Sequence, residues 1–598
     1  MMKRFIALAL LVVAIVIQAA PLAANDALDA RPADPPWAEV ALPLSLNLPL
    51  PAESDPHTAT TAKLDSALAG LAAVTVGERA RSAETGGLRL EDGRVQVQLI
   101  INAEDEAAVE QAVVSAGGEV TGSFAGVVQA WLPPEQLVSL AATDLIEYIQ
   151  PPATAVLAGE DVLAAVTEGV AAANATAWHS AGWRGQSVRI AIIDGGFQGY
   201  QSKLGSELPA TVTVRNFVDN QSATQVDGTT PHGTACAEIV HDMTPQAELY
   251  LLKISTDVDL NEAVDYAISQ NVDIISTSLT FINVTPGDGT GRFATMAQKA
   301  RSSGILWVTA AGNYRETHWA GAFTDTDGDG LHEYATSPET TEVNVFGPGN
   351  NTAFLIPAGV SLTPSIRWDD WETPDQDYRL LLLRYNGSAF EIVSSSNNPQ
   401  SGGVSQRPVE RVSYVTSGSA AIYGVAIQRI SSDRNVHLHL LIPNRELDRR
   451  TPPMSLGNLA DVAAVLTVAA VDVQAPFPRE DYSSEGPTNG PGGAPAGGRV
   501  KPDIAAFANV STASYGNGRF NGTSAAAPHV AGAAALVLNA YPTALPGEIQ
   551  DFLASRAIDM GLSGKDAQFG HGRLRLGAPP EPVVYDHFLY LPAVMAKR

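Results

Sequence analysis

Read from its start, the chain carries Lys3 and Arg4, then an apolar run over residues 5–17, then small residues around 19–24. The thirteen apolar positions fall short of the ~20 that a helix needs to cross a bilayer. The order of charge, apolar run and small residues predicts a secretory signal peptide over 1–24. Residues 25–90 are rich in Ala and Pro and read as a spacer with little fixed structure. Then a period of two sets in. Val95, Val97, Leu99 and Ile101 alternate as a strand, 104–116 reads as a helix, and strands are expected at 118–123 and 127–132. A helix after Pro134 and a strand near 145–149 complete a β-α-β-β-α-β order, which predicts a small ferredoxin-like unit within 91–155.

Over 160–335 the pattern alternates between apolar strands (187–193, 247–254, 272–278, 306–310) and amphipathic helices (259–270, 291–303). That alternation predicts βαβ units and a parallel sheet, so the fold class is α/β. Over 336–447 short alternating runs broken by Gly, Asn, Pro and Ser predict an inserted all-β sandwich. The α/β character returns over 448–578, with a strand at 465–471 and a small-residue helix at 524–538. A tail over 579–598 holds the apolar group Phe588, Leu589, Tyr590 and Leu591.

Charge narrows the partners. The 598 residues hold 37 Lys and Arg against 64 Asp and Glu, a formal net charge of −27, which argues against nucleic acid or an anionic membrane as partner. No membrane association is expected once the signal is removed. A single cysteine, Cys236, excludes an intramolecular disulfide, and it reads as a buried structural thiol.

Four places carry candidate chemistry. The strand 188–193 delivers Asp194 at its carboxyl end, where an open α/β sheet assembles its site. His232 stands just before a helix of small residues. Strand 306–310 runs into Ala311-Gly312-Asn313, where a side-chain amide can donate to a developing oxyanion. Ser524 opens an Ala-rich helix, and its small neighbours leave room for substrate. Each alone has an ordinary structural reading as turn former or cap. Their order, Asp, His, Asn, Ser, sets the combination apart.

The stretches VRIAIIDGG, HGTACAEI, VTAAGN and NGTSAAAPHVAGAAAL resemble the subtilisin-like serine proteases, the subtilases. The resemblance covers ~165–335 and ~450–575. It implies a three-layer subtilisin-like domain with Asp194, His232 and Ser524 as the catalytic triad and Asn313 as oxyanion donor. It also implies that Ser278, Leu279 and Thr280, with Ala310, Ala311 and Gly312, bind a polypeptide substrate, and that 91–155 is a propeptide acting as intramolecular inhibitor. The expected product is a secreted, monomeric serine endopeptidase made as a zymogen, processed within 151–165 and needing no cofactor for its chemistry. The alternative from another class is an extracellular binding or surface protein on a protease scaffold. The sequence departs from the family's pattern at Gly195, where Thr or Ser is usual, and at Thr280, where Gly is common. The Thr280 side chain is expected to narrow the pocket beside the scissile bond.

Two further patterns concern metals. Asp325, Asp327 and Asp329, followed by Gly330, have calcium-loop spacing, with Glu333 as a further oxygen donor. Thr336 stands where a full EF-hand loop has its Glu, so a structural calcium ion and a polar turn are both expected readings. His437 and His439 share one strand face and are expected as exposed polar positions rather than metal ligands.

Overall fold

A computed structural model of the chain describes residues 63–156 and 166–581, less 338–339, 351, 372 and 404–405, together with Trp37–Ala38 and Leu46. The expected signal peptide and the apolar group of the C-terminal tail lie outside the described residues.

The largest sheet has seven strands: β1 (Arg189–Asp194), β2 (Thr213–Asn216), β3 (Glu248–Lys253), β4 (Ile274–Thr277), β5 (Leu306–Ala310), β6 (Val465–Asp472) and β7 (Ile504–Ala508). Their spatial order is β7-β6-β5-β4-β1-β3-β2, and every pairing is parallel. Parallel strands are covered on both faces, which is why they read as unbroken apolar runs. Ile190 and Ile192 of β1 turn to a core shared with helices α1 (His232–Met243) and α4 (Thr523–Ala540). Ala191 and Ile193 turn to the opposite core, under α2 (Asp257–Ser269) and α3 (Arg292–Ser302). β1 lies between β3 and β4, the point at which the strand order reverses, so a crevice opens at its carboxyl end.

Helices α1 and α4 pack closely because their contact residues are small. A Cβ at Gly532 of α4 would lie 2.4 Å from the Met243 Cβ, so only glycine admits this approach. Fifteen residues of α4, from Thr523 to Val537, are buried, as expected for a helix apolar on all sides.

Between β5 and β6 the chain builds two four-stranded antiparallel sheets. One joins His318–Ala322, His437–Leu441, Ser365–Trp368 and Val409–Arg411; the other joins Asn344–Val345, Tyr423–Ser431, Asp377–Tyr385 and Phe390–Ser396. Trp368, Tyr378, Tyr423, Leu438 and Leu440 fill the space between them. The insert therefore takes in His318–Ala322, which the sequence places in the α/β domain, since an apolar pattern does not say which sheet a strand joins. His439 also differs from expectation. It is buried, with Nδ1 3.0 Å from Nε2 of buried His318, and burial pushes the His318 imidazole down to about 3.

The N-terminal unit forms an antiparallel sheet from Arg94–Ile100, Glu119–Phe124, Val127–Leu132 and Tyr148–Gln150. Its spatial order, fourth, first, third, second, is the ferredoxin-like one. Residues 63–90, expected as spacer, instead supply helices Ser66–Ala73 and Arg79–Thr85, and Leu68 and Leu71 enter the unit's core. Ala-rich composition is compatible with both states, and the spaced Leu residues decide for the helix.

This unit is docked on the rest of the protein. Gln98 Nε2 donates to Asp257 at 2.7 Å, Gln96 Nε2 donates to Asp219 at 2.7 Å, and Val258 of α2 packs among Ile100, Val127 and Tyr148. The insert holds it as well, for the Ser66 N–H donates to Asn398 Oδ1 at 2.8 Å.

Candidate active site

Asp194 ends β1 on the same face as Ile190 and Ile192, so its side chain points to the α1 side of the sheet. His232 is the first residue of α1, and both side chains are fully buried. Its Nδ1 lies 2.9 Å and 3.0 Å from the two Asp194 carboxylate oxygens. The neighbouring glycines permit this approach: a Cβ at Gly233 would stand 2.8 Å from the Asp194 Cβ and 2.6 Å from the Gly196 carbonyl. The Gly195 N–H donates to Asp194 Oδ1 at 2.8 Å. This bond uses only the backbone, so it does not need the hydroxyl side chain usual at that position.

Ser524 sits in the first turn of α4, buried, and its hydroxyl donates to the Ser278 carbonyl at 3.1 Å. The Ser524 carbonyl has a particular need, because Pro528 four residues on has no N–H to give it. The Ser278 hydroxyl donates to it at 2.9 Å and the Cys236 thiol at 3.7 Å. Cys236 is thus a buried thiol that helps seat the start of α4.

Asn313 is fixed through its amide oxygen, which accepts from the Thr523 N–H at 2.9 Å and the Thr523 hydroxyl at 3.0 Å. The same hydroxyl accepts from the Gly312 N–H at 3.1 Å. These bonds assign the amide orientation and turn Nδ2 away from Thr523. Thr523 and the buried Phe520, whose ring meets His232 edge-on at 5.7 Å, are site residues that the motifs did not single out. Thr523 stands next to Ser524 and could have been suspected; Phe520 left no sequence signal.

Ser278, Leu279 and Thr280 extend β4 toward the site. The Thr280 hydroxyl is bonded to the Tyr314 hydroxyl, and a Cβ at Gly457 would lie 2.6 Å from the Thr280 Cβ. The side chain is therefore packed between Tyr314 and Gly457. Tyr314 and Gly457 were not expected as partners, since only the tertiary fold brings them to β4. Ala311 is bonded on both sides, its N–H donating to Val468 at 2.9 Å and its carbonyl accepting from Gly457 at 3.2 Å. Ala310 is in register with Val468 within the sheet. Ala310 and Ala311 are thus internal, whereas the Thr280 carbonyl accepts from the Val156 N–H at 3.1 Å. Residues 153–156 run antiparallel past Thr256 and Thr280, so the end of the N-terminal unit lies along this strand.

Among the described residues, two carboxylate-bearing groups have metal-like spacing: Asp194 with His232 and Cys236, and Asp325 with Asp327 and Asp329. In the first, His232 Nδ1 is engaged by Asp194 and Cys236 by the Ser524 carbonyl. In the second, Glu333 stands outside the triplet of close oxygens and accepts from the Thr326 hydroxyl at 2.7 Å.

The helix that carries His232 also carries the buried Glu238 and the half-buried Asp242. Burial pushes the Glu238 carboxyl up to about 7, against the Ser514 hydroxyl that donates to it at 2.6 Å. Burial likewise pushes Asp242 up to about 7. A raised native pKa means the folded form holds a proton that the unfolded chain has released. The associated stability is full below the unfolded value near 4.5 and is lost as pH rises to about 7. Glu238→Gln, made in an inactive Ser524→Ala background, is expected to raise the unfolding midpoint at pH 8 and leave it unchanged at pH 4. The gain has a ceiling of about 3 kcal/mol, from ~1.4 kcal/mol per pKa unit. Thermal unfolding at the two pH values is the check, and a gain at pH 4 equal to that at pH 8 would contradict it.

Comparison with known proteins agrees with this geometry. The model of the Subtilase family matches residues 185–369 and 434–572, more than half of the chain. Subtilisin E of Bacillus subtilis (strain 168) is 27% identical over 293 residues, covering 43% of this chain and 71% of that protein. Subtilisin of Bacillus pumilus is 29% identical over 214 residues, covering 33% of this chain and 70% of that one. Among solved structures, the Clostridium perfringens CspB protease aligns over 68% of this chain and 97% of its own, at a TM-score of 0.48 and 14% identity. The matched segments hold the buried Asp–His pair, the Asn and the helix-borne Ser, and the break between 369 and 434 falls inside the antiparallel insert. The chain therefore belongs to the subtilase family and is a serine-type endopeptidase.

Proposed function

We propose that this protein is an exported endopeptidase that cleaves polypeptides through an acyl-enzyme. The observation that carries this reading is the fully buried Asp194–His232 pair at the switch point of the sheet, with Ser524 at the start of the helix packed beside it. Asp194 would hold the imidazole with its proton on Nδ1, leaving Nε2 to take the Ser524 proton as the hydroxyl attacks. On substrate binding the Ser524 hydroxyl would turn from the Ser278 carbonyl to the imidazole; such bonds commonly tighten only in the reacting complex. Asn313 Nδ2 and the Ser524 N–H would stabilise the tetrahedral oxygen. The fixed Asn313 amide oxygen supports this role, because it leaves the donor end preoriented. Asn313→Ala is expected to lower kcat by ~10²–10³-fold with KM little changed, measured on a peptide anilide; an unaltered kcat removes Asn313 from the oxyanion site.

We read residues 91–155 as the inhibitory propeptide. The Val156–Thr280 bond supports this, since the tail occupies the strand that would pair with substrate backbone. The chain would act as a monomer on polypeptides after cleavage within 151–165. Fluorophosphonate labelling followed by N-terminal sequencing tests the whole reading. The expected result is a single label on Ser524 of a protein beginning within 151–165. An unlabelled Ser524 would instead mark a binding protein on a protease scaffold, and a mature N-terminus upstream of Val95 would remove the propeptide role.

A further inference from the structure

The side chains of residues 153–156, which run along Thr280, alternate between two surroundings, as those of extended chain do. Ala153 and Ala155 pack into the core under α2 and α3, the same core that holds Leu279 and Phe281. Val156 turns the other way. It packs against a separate apolar cluster made of Ile282, Tyr314 and Leu441. Ile282 stands two positions beyond Thr280, and Tyr314 directly follows Asn313. Leu441 comes from the insert, where it ends the strand His437–Leu441.

The insert is bonded to this segment, so the cluster has a fixed shape. Arg411 Nη2 donates to the Ile282 carbonyl at 2.8 Å, and Asn283 Nδ2 donates to the Ser365 carbonyl at 3.1 Å. Ser365 is the residue paired with Leu441 in the insert's sheet, so the same anchor sets Leu441 beside Ile282. Tyr314 is held at both ends: its N–H donates to the Ser484 hydroxyl at 2.9 Å, and its own hydroxyl is bonded to Thr280. With Val156 in place Ile282 is 9% exposed and Tyr314 and Leu441 4% each. Departure of the N-terminal unit would uncover this apolar surface, and an aliphatic side chain on the next strand to bind would cover it again.

We infer that Leu441, with Ile282 and Tyr314, forms an apolar subsite through which the insert helps select polypeptide substrates. This rests on the protease reading above, in which the strand ending at Thr280 pairs with substrate backbone. Register assigns the position served. In an antiparallel pairing with one residue opposite Thr280, the residue two further on lies opposite Ser278, whose carbonyl accepts from the Ser524 hydroxyl at 3.1 Å. The carbonyl that Ser524 attacks belongs to that residue, so the subsite takes the third side chain before the cleaved bond. Val, Ile or Leu gains contacts there, whereas Asp or Lys would give up water with no partner in the cluster. The subsite therefore acts on substrate choice and takes no part in the proton transfers.

The test is digestion of a peptide library randomised at every position, with the cut sites read by mass spectrometry. The full-length wild-type chain is compared with Leu441→Ala, Leu441→Phe and, outside the insert, Ile282→Ala. In the wild type Val, Ile and Leu are expected to exceed Ser and Asp by about tenfold at the third position before the cut, the discrimination an apolar pocket of this kind supplies. Leu441→Ala and Ile282→Ala enlarge the subsite and should raise Phe relative to Val there at least threefold; Leu441→Phe should raise Ala relative to Leu. Fluorophosphonate labelling of Ser524 identifies the variants that have folded. A wild-type profile without aliphatic preference at that position overturns the subsite, as do labelled variants that keep the wild-type profile. A wild-type chain that cuts no peptide and leaves Ser524 unlabelled overturns the protease reading itself, and the subsite with it.

Discussion

Ser524→Ala is expected to reduce casein hydrolysis by ~10⁶-fold while the unfolding midpoint stays within a degree or two of the parent. The two outcomes have separate physical causes. The hydroxyl is the nucleophile in the proposed chemistry, and alanine removes it. Structurally the side chain makes one hydrogen bond, to the Ser278 carbonyl, and the seating of the α4 start relies on the Ser524 carbonyl, which alanine retains. The N-terminal unit should also remain covalently attached, if its removal is the protein's own work. Gel analysis of the purified variant beside casein assays reads both, and wild-type hydrolysis by the variant would sink the catalytic assignment.

Asp194→Asn should cost about 10⁴-fold in kcat, because it changes a proton's position more than it changes the shape of the site. In the native protein the Asp194 carboxylate faces His232 Nδ1 at 2.9 Å and 3.0 Å and so keeps a proton there. The Gly195 N–H already donates to Oδ1. An asparagine oriented with its oxygen on Gly195 presents its NH₂ to the imidazole, which must then carry its proton on Nε2. A protonated Nε2 cannot accept the Ser524 proton. KM should change little, since Asp194 is fully buried. Steady-state kinetics on a peptide anilide decides the matter, and a loss smaller than tenfold would show that the pair does not set the tautomer.

Much of the α/β half was legible because a parallel sheet needs strands that are apolar on both faces. Val465–Asp472 and Leu306–Ala310 are such strands, and they stand where the apolar runs predict. The ferredoxin-like unit was legible for the complementary reason: its period of two and its turn positions survive without tertiary help. The helices at 66–85 were not, because a segment rich in Ala and Pro has no strong period until Leu68 and Leu71 find a core. The burial of His439 was equally hidden, since an alternating strand reads the same whether its second face meets water or another chain segment. Thr280 looked obstructive in the sequence and proves to be packed against Tyr314 and Gly457, two residues that no local pattern connects to it.

What the sequence determined by itself is the chemistry on offer: an Asp at a strand end, a His and a Ser each at the start of a small-residue helix, and an Asn after a strand. Small residues and glycines at 195–196, 233 and 532 were equally readable as letters, though not as contacts. The tertiary structure decided which of these groups meet. Asp194 and His232 are 38 positions apart, and Ser278 and Ser524 are 246 apart, yet they converge because the strand order reverses at β1 and two glycine-bearing helices can approach one another. The tertiary structure also laid residues 153–156 along Thr280. Local sequence specifies which atoms can donate, accept or attack; distance between them is a property of packing, set by the cores on either side of the sheet.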